Sequence, residues 1–125
     1  MQTGDTLSWK RTFTEEDIRL FAKVSGDDGE HHHVPDEKGR LMAHGLLTAT
    51  LPTKIGGDMN LIAREMTFNF HRPVFVGDTI ECVVTLLEAT PADGYTDIDS
   101  VWTCTNQHGK EVMTGRGKGI IRDRS

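Results

Sequence analysis

Apolar residues between positions 12 and 24 recur at intervals close to the helical period. The residues that follow this spacing are Phe13, Ile18, Phe21, Ala22 and Val24. Thr14 stands before a run of acids and is suited to cap a helix, and Gly26 is suited to end one. The pattern therefore predicts a first helix within Thr12 to Val24.

A second apolar segment, HGLLTATLPTKI from His44 to Ile55, is largely uncharged around most of its circumference. This distribution predicts a helix that is buried on several sides. Pro52 lacks a backbone donor, so we expect it to kink the helix or to end its regular part at Leu51. Gly56 and Gly57 are then expected to close the segment.

After residue 58 the pattern changes to the alternation that is typical of strands. Three groups of alternating residues each share a face: Met66, Phe68 and Phe70; Ile80, Cys82, Val84 and Leu86; Ile98, Trp102 and Cys104. Turn residues separate these groups, and a last strand is predicted from Glu111 to Ile121. The sequence thus predicts an α+β fold in which an antiparallel sheet covers the apolar helix, as a single domain over residues 1–125.

Composition narrows the classes of protein to consider. The 125 residues are 36% hydrophobic and 26% charged, with a formal net charge of −5. This balance disfavours a nucleic-acid partner, which would call for a basic patch, and no apolar run is long enough to cross a membrane. The first ten residues show no secretory pattern. We interpret Cys82 and Cys104 as reduced core thiols, and expect a cytoplasmic protein.

The stretch SGDDGEHHH, from Ser25 to His33, concentrates proton-transfer groups in a segment without helical or strand period, which predicts a loop. Gly26 and Gly29 allow this loop to bring Asp27 and His32 together. A carboxylate beside an imidazole can hold one water molecule and exchange protons with it near neutral pH. On these residues alone, a solvated acidic turn followed by surface histidines is an equal alternative.

A metal site is another interpretation of the same loop. His31 and His33 would share a face in an extended segment, and Glu30 or Asp36 could supply an oxygen ligand. Three adjacent histidines do not easily turn toward one ion, and no distant HxxxH or CxxC motif completes a shell. We therefore expect no metal.

Two glycine motifs complete the candidate chemistry. Gly45 lies at the start of the predicted buried helix, where a free amide could bind a developing oxyanion; tight packing of helix on sheet is the alternative. The segment GRGKG, from Gly115 to Gly119, lacks the lysine and hydroxyl pair of a phosphate loop. Its glycines are expected on one strand face, where the buried helix or an acyl chain can come close. Arg116 and Lys118 are expected to form a solvated edge on the other face, and contact with coenzyme phosphates is the alternative.

Three ordered motifs over most of the chain resemble those of the MaoC-like, R-specific enoyl-CoA hydratase family of hot-dog-fold proteins. They are FAKVSGDDGEHH at Phe21 to His32, MAHGLL at Met42 to Leu47, and RPVFVGDTI at Arg72 to Ile80. The resemblance implies a sheet wrapped around a central helix, a homodimer or higher homo-oligomer, and an acyl-CoA or acyl-carrier-protein thioester as substrate.

The same resemblance implies roles for individual residues. Asp27 and His32 would activate the water that adds to a trans-2-enoyl thioester, or is removed from a (3R)-3-hydroxyacyl thioester. Gly45 would donate its amide to the thioester carbonyl, and no cofactor is implied. The family commonly has asparagine and proline where this chain has Gly29 and Glu30. Because the three histidines are adjacent, a shift of one residue would change which of them faces the site.

Two other functions remain open. A thioester hydrolase on the same fold commonly needs an acid on or beside the central helix, and residues 44–57 contain no Asp or Glu. A non-catalytic acyl-thioester binder would not need the pair of Asp27 and His32.

Overall fold

The computed structural model describes residues 2–124, which form one antiparallel sheet and four helical segments. In chain order the elements are β1 (Thr6–Thr12), α1 (Glu15–Ser25), α2 (Glu30–His33), α3 (Gly45–Thr48), α4 (Thr50–Asp58), β2 (Ile62–Phe70), β3 (Thr79–Ala92), β4 (Tyr95–Thr105) and β5 (Glu111–Arg122). The strand order across the sheet is β1-β3-β4-β5-β2, so β1 and β2 are its edges.

Helix α1 forms where the first apolar pattern predicts it. The Thr14 hydroxyl accepts a hydrogen bond from the Asp17 amide at 3.2 Å, and the Asp17 carboxylate accepts one from the Thr14 amide at 3.0 Å. This reciprocal capping box satisfies two donors that a helix start leaves free. Gly26 ends the helix in the left-handed conformation, with φ of 77°. Both predicted helix signals are confirmed.

The strand predictions after residue 58 are confirmed. One strand before that residue, β1, was missed. The alternating residues of β3 and β4 are buried as expected: Ile80, Cys82, Val84, Leu86, Ile98, Trp102 and Cys104. Strand β1 is an edge strand with mostly exposed side chains, and its apolar alternation is limited to Leu7 and Trp9, which is too short a pattern to indicate a strand by itself.

The buried helix differs from its prediction at the proline. It breaks at Ala49, and α4 then continues through Pro52 to Asp58, past Gly56 and Gly57. The break places Pro52 in the first turn of α4, where a missing amide hydrogen costs nothing. Of the two alternatives expected for Pro52, an end of the regular helix at Leu51 is therefore wrong, whereas the helix is interrupted at Ala49, three residues before the proline. Helix α4 packs against β1 and β3, which confirms that the sheet covers this segment.

The two cysteines lie opposite each other on β3 and β4. Cys82 and Cys104 are direct partners in the strand register, and both thiols are free and fully buried. The neighbouring Cys104 thiol and burial raise the pKa of the Cys82 thiol far above its ordinary value. Both groups therefore pack as small apolar side chains, as predicted.

The GRGKG segment lies within β5 with the predicted alternation. Gly117 and Gly119 are buried, whereas Arg116 and Lys118 are exposed. The Arg116 guanidinium donates two hydrogen bonds to Asp99, at 3.0 and 2.6 Å, and holds the pKa of that carboxyl below its usual range. Arg116 is thus engaged in a surface ion pair of the sheet.

The helices of the described chain are short. The longest, α1, has 11 residues. No helix among residues 2–124 has the length and apolar character that crossing a bilayer requires.

The capping box gives a stability prediction. Replacing Thr14 by Ala removes the hydroxyl that accepts from the Asp17 amide, and we expect the free energy of unfolding to fall by about 1 kcal/mol. Urea denaturation measures this loss. Thr14→Ser keeps the hydroxyl and should retain most of the stability, so equal losses in both variants would contradict a capping role.

Candidate active site

The predicted loop contains one helical turn, α2, that points the three histidines in different directions. His32 is buried, while His31 and His33 are exposed on either side of it. His33 lies 3.0 Å from the Asp28 carboxylate, away from the cavity described below. The expectation of a loop without regular structure is thus corrected. His32 is the buried histidine, and both His32 and the exposed His31 line the cavity described below.

The surroundings of His32 fix which nitrogen carries its proton. Its Nδ1 lies 2.8 Å from the carbonyl oxygen of Met42. Because a carbonyl can only accept, Nδ1 must donate, and the neutral ring keeps its lone pair on Nε2. That Nε2 faces the Asp27 carboxylate, at 3.8 Å from Oδ2. His32 is therefore arranged to accept a proton beside a carboxylate.

Asp27 is held by two hydrogen bonds within the loop, one to its carboxylate and one from its own amide. Its Oδ1 accepts a hydrogen bond from the Gly29 amide at 3.2 Å, and its own amide donates to Ser25 Oγ at 3.0 Å. A Cβ atom at Gly29 would lie 3.0 Å from Cε1 of His31, so an asparagine there would require His31 to shift. Glu30 is exposed and is not among the cavity-lining residues.

His44 connects the loop to the central helix, a role that the sequence interpretation did not assign. Its side chain is only 2% exposed, and its Nε2 donates to the Asp27 carbonyl oxygen at 2.8 Å. Its ring stacks on that of His32, with centroids 3.7 Å apart and planes 17° apart. Its Nδ1 is buried without a hydrogen-bond partner among the described residues. The available signal was its position before Gly45 in the MAHGLL motif.

Gly45 begins α3 and is exposed. Its amide makes no hydrogen bond to the described part of the chain, as is usual for the first residues of a helix. A Cβ atom there would lie 2.8 Å from Cε1 of Phe70, so a glycine is also needed for packing. Since α3 has only four residues, its dipole is small, and the amide itself is the donor that this site offers.

Asp27, His32 and Gly45 line the same cavity, which has a volume of about 710 Å³. Its wall is mainly apolar and includes Phe21, Phe70 and Val74; Arg72 adds a positive charge. A largely apolar cleft with a few convergent polar groups is the usual form of a small-molecule site. The structure thus brings the three sequence-predicted residues together around one cavity.

In the described part of the chain, no cluster of potential ligand atoms forms from the residues of the metal alternative, His31, His33, Glu30 and Asp36. His33 lies beside Asp28, and Asp36 binds Arg40 through hydrogen bonds to its side chain and backbone. A different group, Asp27, His32 and His44, offers three potential ligand atoms within 4.8 Å of one another. Its two imidazoles stack nearly in parallel, however, so their in-plane lone pairs do not converge on one point.

Comparison with known families gives a match over most of the chain. The family described as FAS1-like, dehydratase domain region, matches residues 2–115. A 3-hydroxybutyryl-CoA dehydratase from Methylorubrum extorquens is 29% identical, and the match covers 98% of this chain and 80% of that protein. An (R)-specific enoyl-CoA hydratase from Rhodospirillum rubrum is 30% identical, with 97% of this chain and 88% of that protein covered.

Solved structures show the same architecture. The R-hydratase PhaJ1 from Pseudomonas aeruginosa, in its unliganded form, superposes with a TM-score of 0.83 at 25% identity, covering 100% of this chain and 84% of that one. An (R)-hydratase from A. caviae superposes with a TM-score of 0.82 at 21% identity, covering 98% of both chains. The predicted hot-dog fold is confirmed.

The contacts of His44 generate a stability prediction. His44→Ala removes a buried ring and leaves the Asp27 carbonyl without its donor, so we expect the free energy of unfolding to fall by about 3 kcal/mol. Urea denaturation measures the change. His108→Ala, at an exposed position in the turn before β5, is the matched control and should change little. A similar small loss in both variants would contradict the connecting role of His44.

Proposed function

The chain belongs to the family described as FAS1-like, dehydratase domain region, and from this membership we propose that it is a hydro-lyase acting on acyl thioesters. The proposed reaction is the (R)-specific hydration of a trans-2-enoyl-CoA, or the reverse dehydration of a (3R)-3-hydroxyacyl thioester. The names of the two curated relatives support this activity. The observation that carries the proposal is the pair formed by Asp27 and His32 Nε2 in the cavity lined by Gly45.

In the proposed hydration step, water lies between the Asp27 carboxylate and His32 Nε2. The pair takes one proton from the water while the water oxygen forms a bond to C3 of the enoyl thioester. The electron pair of the C2–C3 double bond moves toward the thioester carbonyl. The pair then returns a proton to C2, so the hydrogen and the hydroxyl both come from the side on which Asp27 and His32 stand.

The Gly45 amide has a separate role in this proposal. It donates a hydrogen bond to the thioester oxygen as enolate charge develops there, which lowers the barrier to attack at C3. The exposure of Gly45 to the cavity and its unused amide support the assignment. Removing such a donor typically costs about a hundredfold or more in rate.

A thioester hydrolase is less well supported by the structure. Within α3 and α4 the acidic residue is Asp58, which ends α4 and forms an ion pair with Lys54. Neither residue lines the active-site cavity. A water molecule that attacks the thioester would therefore find no activating carboxylate on the central helix in addition to Asp27 and His32.

We also propose that the chain acts as one hot-dog domain within a homodimer. Strand β2 is an edge of the sheet, and its terminal residues Ile62 and Phe70 are exposed apolar side chains. An open edge of this kind favours pairing with a second chain. The free, buried thiols of Cys82 and Cys104 support a reducing compartment such as the cytoplasm.

Crotonyl-CoA tests the proposed activity and the two side chains together. Hydration should bleach the absorbance of the conjugated thioester without releasing free thiol. Because Asp27→Asn and His32→Gln each remove a proton-transfer group, we expect each to lower kcat by about a hundredfold or more.

The neighbouring residues supply matched controls. Asp28→Asn and His33→Gln change the same residue types one position along the chain, at a pair that points away from the cavity. Both should keep near-normal rates. Release of free thiol would instead indicate a hydrolase, and binding of crotonyl-CoA without any absorbance change would indicate a non-catalytic binder.

Sedimentation equilibrium tests the proposed dimer. The wild-type chain should sediment at twice its monomer mass, and Ile62→Lys should weaken the association because a charge on an edge strand discourages pairing. Leu20→Lys, on the exposed face of α1, is the control and should leave the mass unchanged. A monomeric wild-type protein at the concentrations used in the activity measurement would overturn the proposal.

A further inference from the structure

Three cross-strand rows of residues run across the side of the sheet that faces the central helix. The strand register aligns Phe70 with Met113 and Cys104, Phe68 with Gly115 and Trp102, and Met66 with Gly117 and Ser100. Each row contains one residue from β2, one from β5 and one from β4. The third row lacks a side chain on β5 because position 117 is a glycine, and the middle row lacks one because position 115 is a glycine.

The indole of Trp102 fills the space that this glycine leaves. A Cβ atom at Gly115 would lie 2.5 Å from Nε1 of Trp102, and one at Gly117 would lie 2.8 Å from Cζ3 of the same ring. Trp102 is buried, and its ring centroid is 5.6 Å from that of Phe68. We call Phe68 and Trp102 together the aromatic barrier.

We call the space between the central helix and the sheet the trough. Two cavities border it, and their lining residues lie on opposite sides of the aromatic barrier along the sheet. Phe70 lines the active-site cavity, whereas Met66, Ser100 and Gly117 line a distal cavity of about 20 Å³. Phe68 lies between Phe70 and Met66 on β2, and its ring stacks on that of Phe70 with centroids 6.3 Å apart. The middle row therefore separates the two cavities on the sheet side.

Residues of the central helix line the two cavities in the same order. Thr48 lines the active-site cavity, and Pro52 and Gly56 line the distal cavity. Pro52 and Gly56 are four residues apart within α4, which places them on one helix face, and Thr48 precedes them on the other side of the break at Ala49. Along the central helix, as along β2, residues that line the active-site cavity are followed by residues that line the distal cavity, and Trp102 itself lines the distal cavity.

We propose that Phe68 and Trp102 limit the length of the acyl chain, so that the enzyme prefers short enoyl thioesters. This inference rests on the proposed function. With the thioester carbonyl at Gly45, the acyl tail extends into the trough toward Phe70, and the aromatic barrier stops it before the distal cavity. A tail that reached further would have to displace a buried indole from close-packed surroundings.

The polar atom of Trp102 indicates how the barrier is held. Its Nε1 is buried without a hydrogen-bond partner among the described residues. The indole is therefore placed by its shape and volume, and an apolar residue can replace it without leaving a former hydrogen-bond partner unpaired. Trp102→Leu should accordingly fold while freeing space between the two cavities.

The test compares kcat/KM for crotonyl-CoA and for trans-2-decenoyl-CoA in the wild type, Trp102→Leu and Phe68→Ala. We expect the wild type to prefer crotonyl-CoA by about tenfold or more, since each misfitting methylene carries a penalty of that order. Both variants should shift the ratio about tenfold or more toward the longer substrate. Ile80→Ala is the control, because Ile80 is fully buried but lines neither cavity, and it should leave the ratio unchanged.

Each outcome separates this inference from the proposed function. A wild type that hydrates both substrates equally well would overturn the chain-length barrier while leaving the hydratase activity intact. An unchanged ratio in the folded variants, checked by circular dichroism, would also overturn it. If Trp102→Leu does not fold, Phe68→Ala and the milder Trp102→Phe decide the matter. A wild type that hydrates neither substrate would contradict the proposed function, and this inference with it.

Discussion

The imidazole of His44 is the contact on which the arrangement of the candidate site depends. It is buried at the start of the central helix, donates to the main-chain carbonyl of Asp27, and stacks on His32. One side chain therefore fixes the positions of both proton-transfer residues relative to Gly45, the next residue in the chain. The unpartnered Nδ1 has a cost, because a buried acceptor without a donor destabilises the fold. That cost favours the interpretation that the main role of His44 is to position Asp27 and His32, and not to stabilise the fold.

The backbone of the loop contributes the rest of the positioning. The Met42 carbonyl orients the His32 ring, and the Gly29 amide orients the Asp27 carboxylate. Neither contact needs a particular side chain at positions 29 and 30, which explains how glycine and glutamate are accommodated where the family commonly has asparagine and proline. The short turn α2 then directs His33 outward and His32 inward.

The central helix contributes to the chemistry at its start and to the proposed selection of chain length further along. Its first turn presents the Gly45 amide to the cavity, and the break at Ala49 allows Pro52 to stand in the first turn of α4. Further along, Pro52 and Gly56 border the trough in which we propose that Trp102 and Phe68 form a barrier. The chemistry and the proposed selection of chain length thus lie at successive positions along the central helix, so changes at the aromatic barrier can act on selectivity without touching Asp27 or His32.

The sequence by itself determined the local elements and the residue types of the site. Thr14 and Gly26 mark the ends of α1 because capping is a local interaction, and the alternation around Cys82 and Cys104 reveals strands because one face of the sheet is buried. The motifs also selected Asp27, His32 and Gly45, which do line one cavity. Only the tertiary structure decided how these elements pack together, including the contacts of His44 and the position of Trp102 over Gly115. These depend on contacts between residues far apart in the chain, such as His44 with Asp27 or Trp102 with Phe68, and such contacts leave no periodic signal in the sequence.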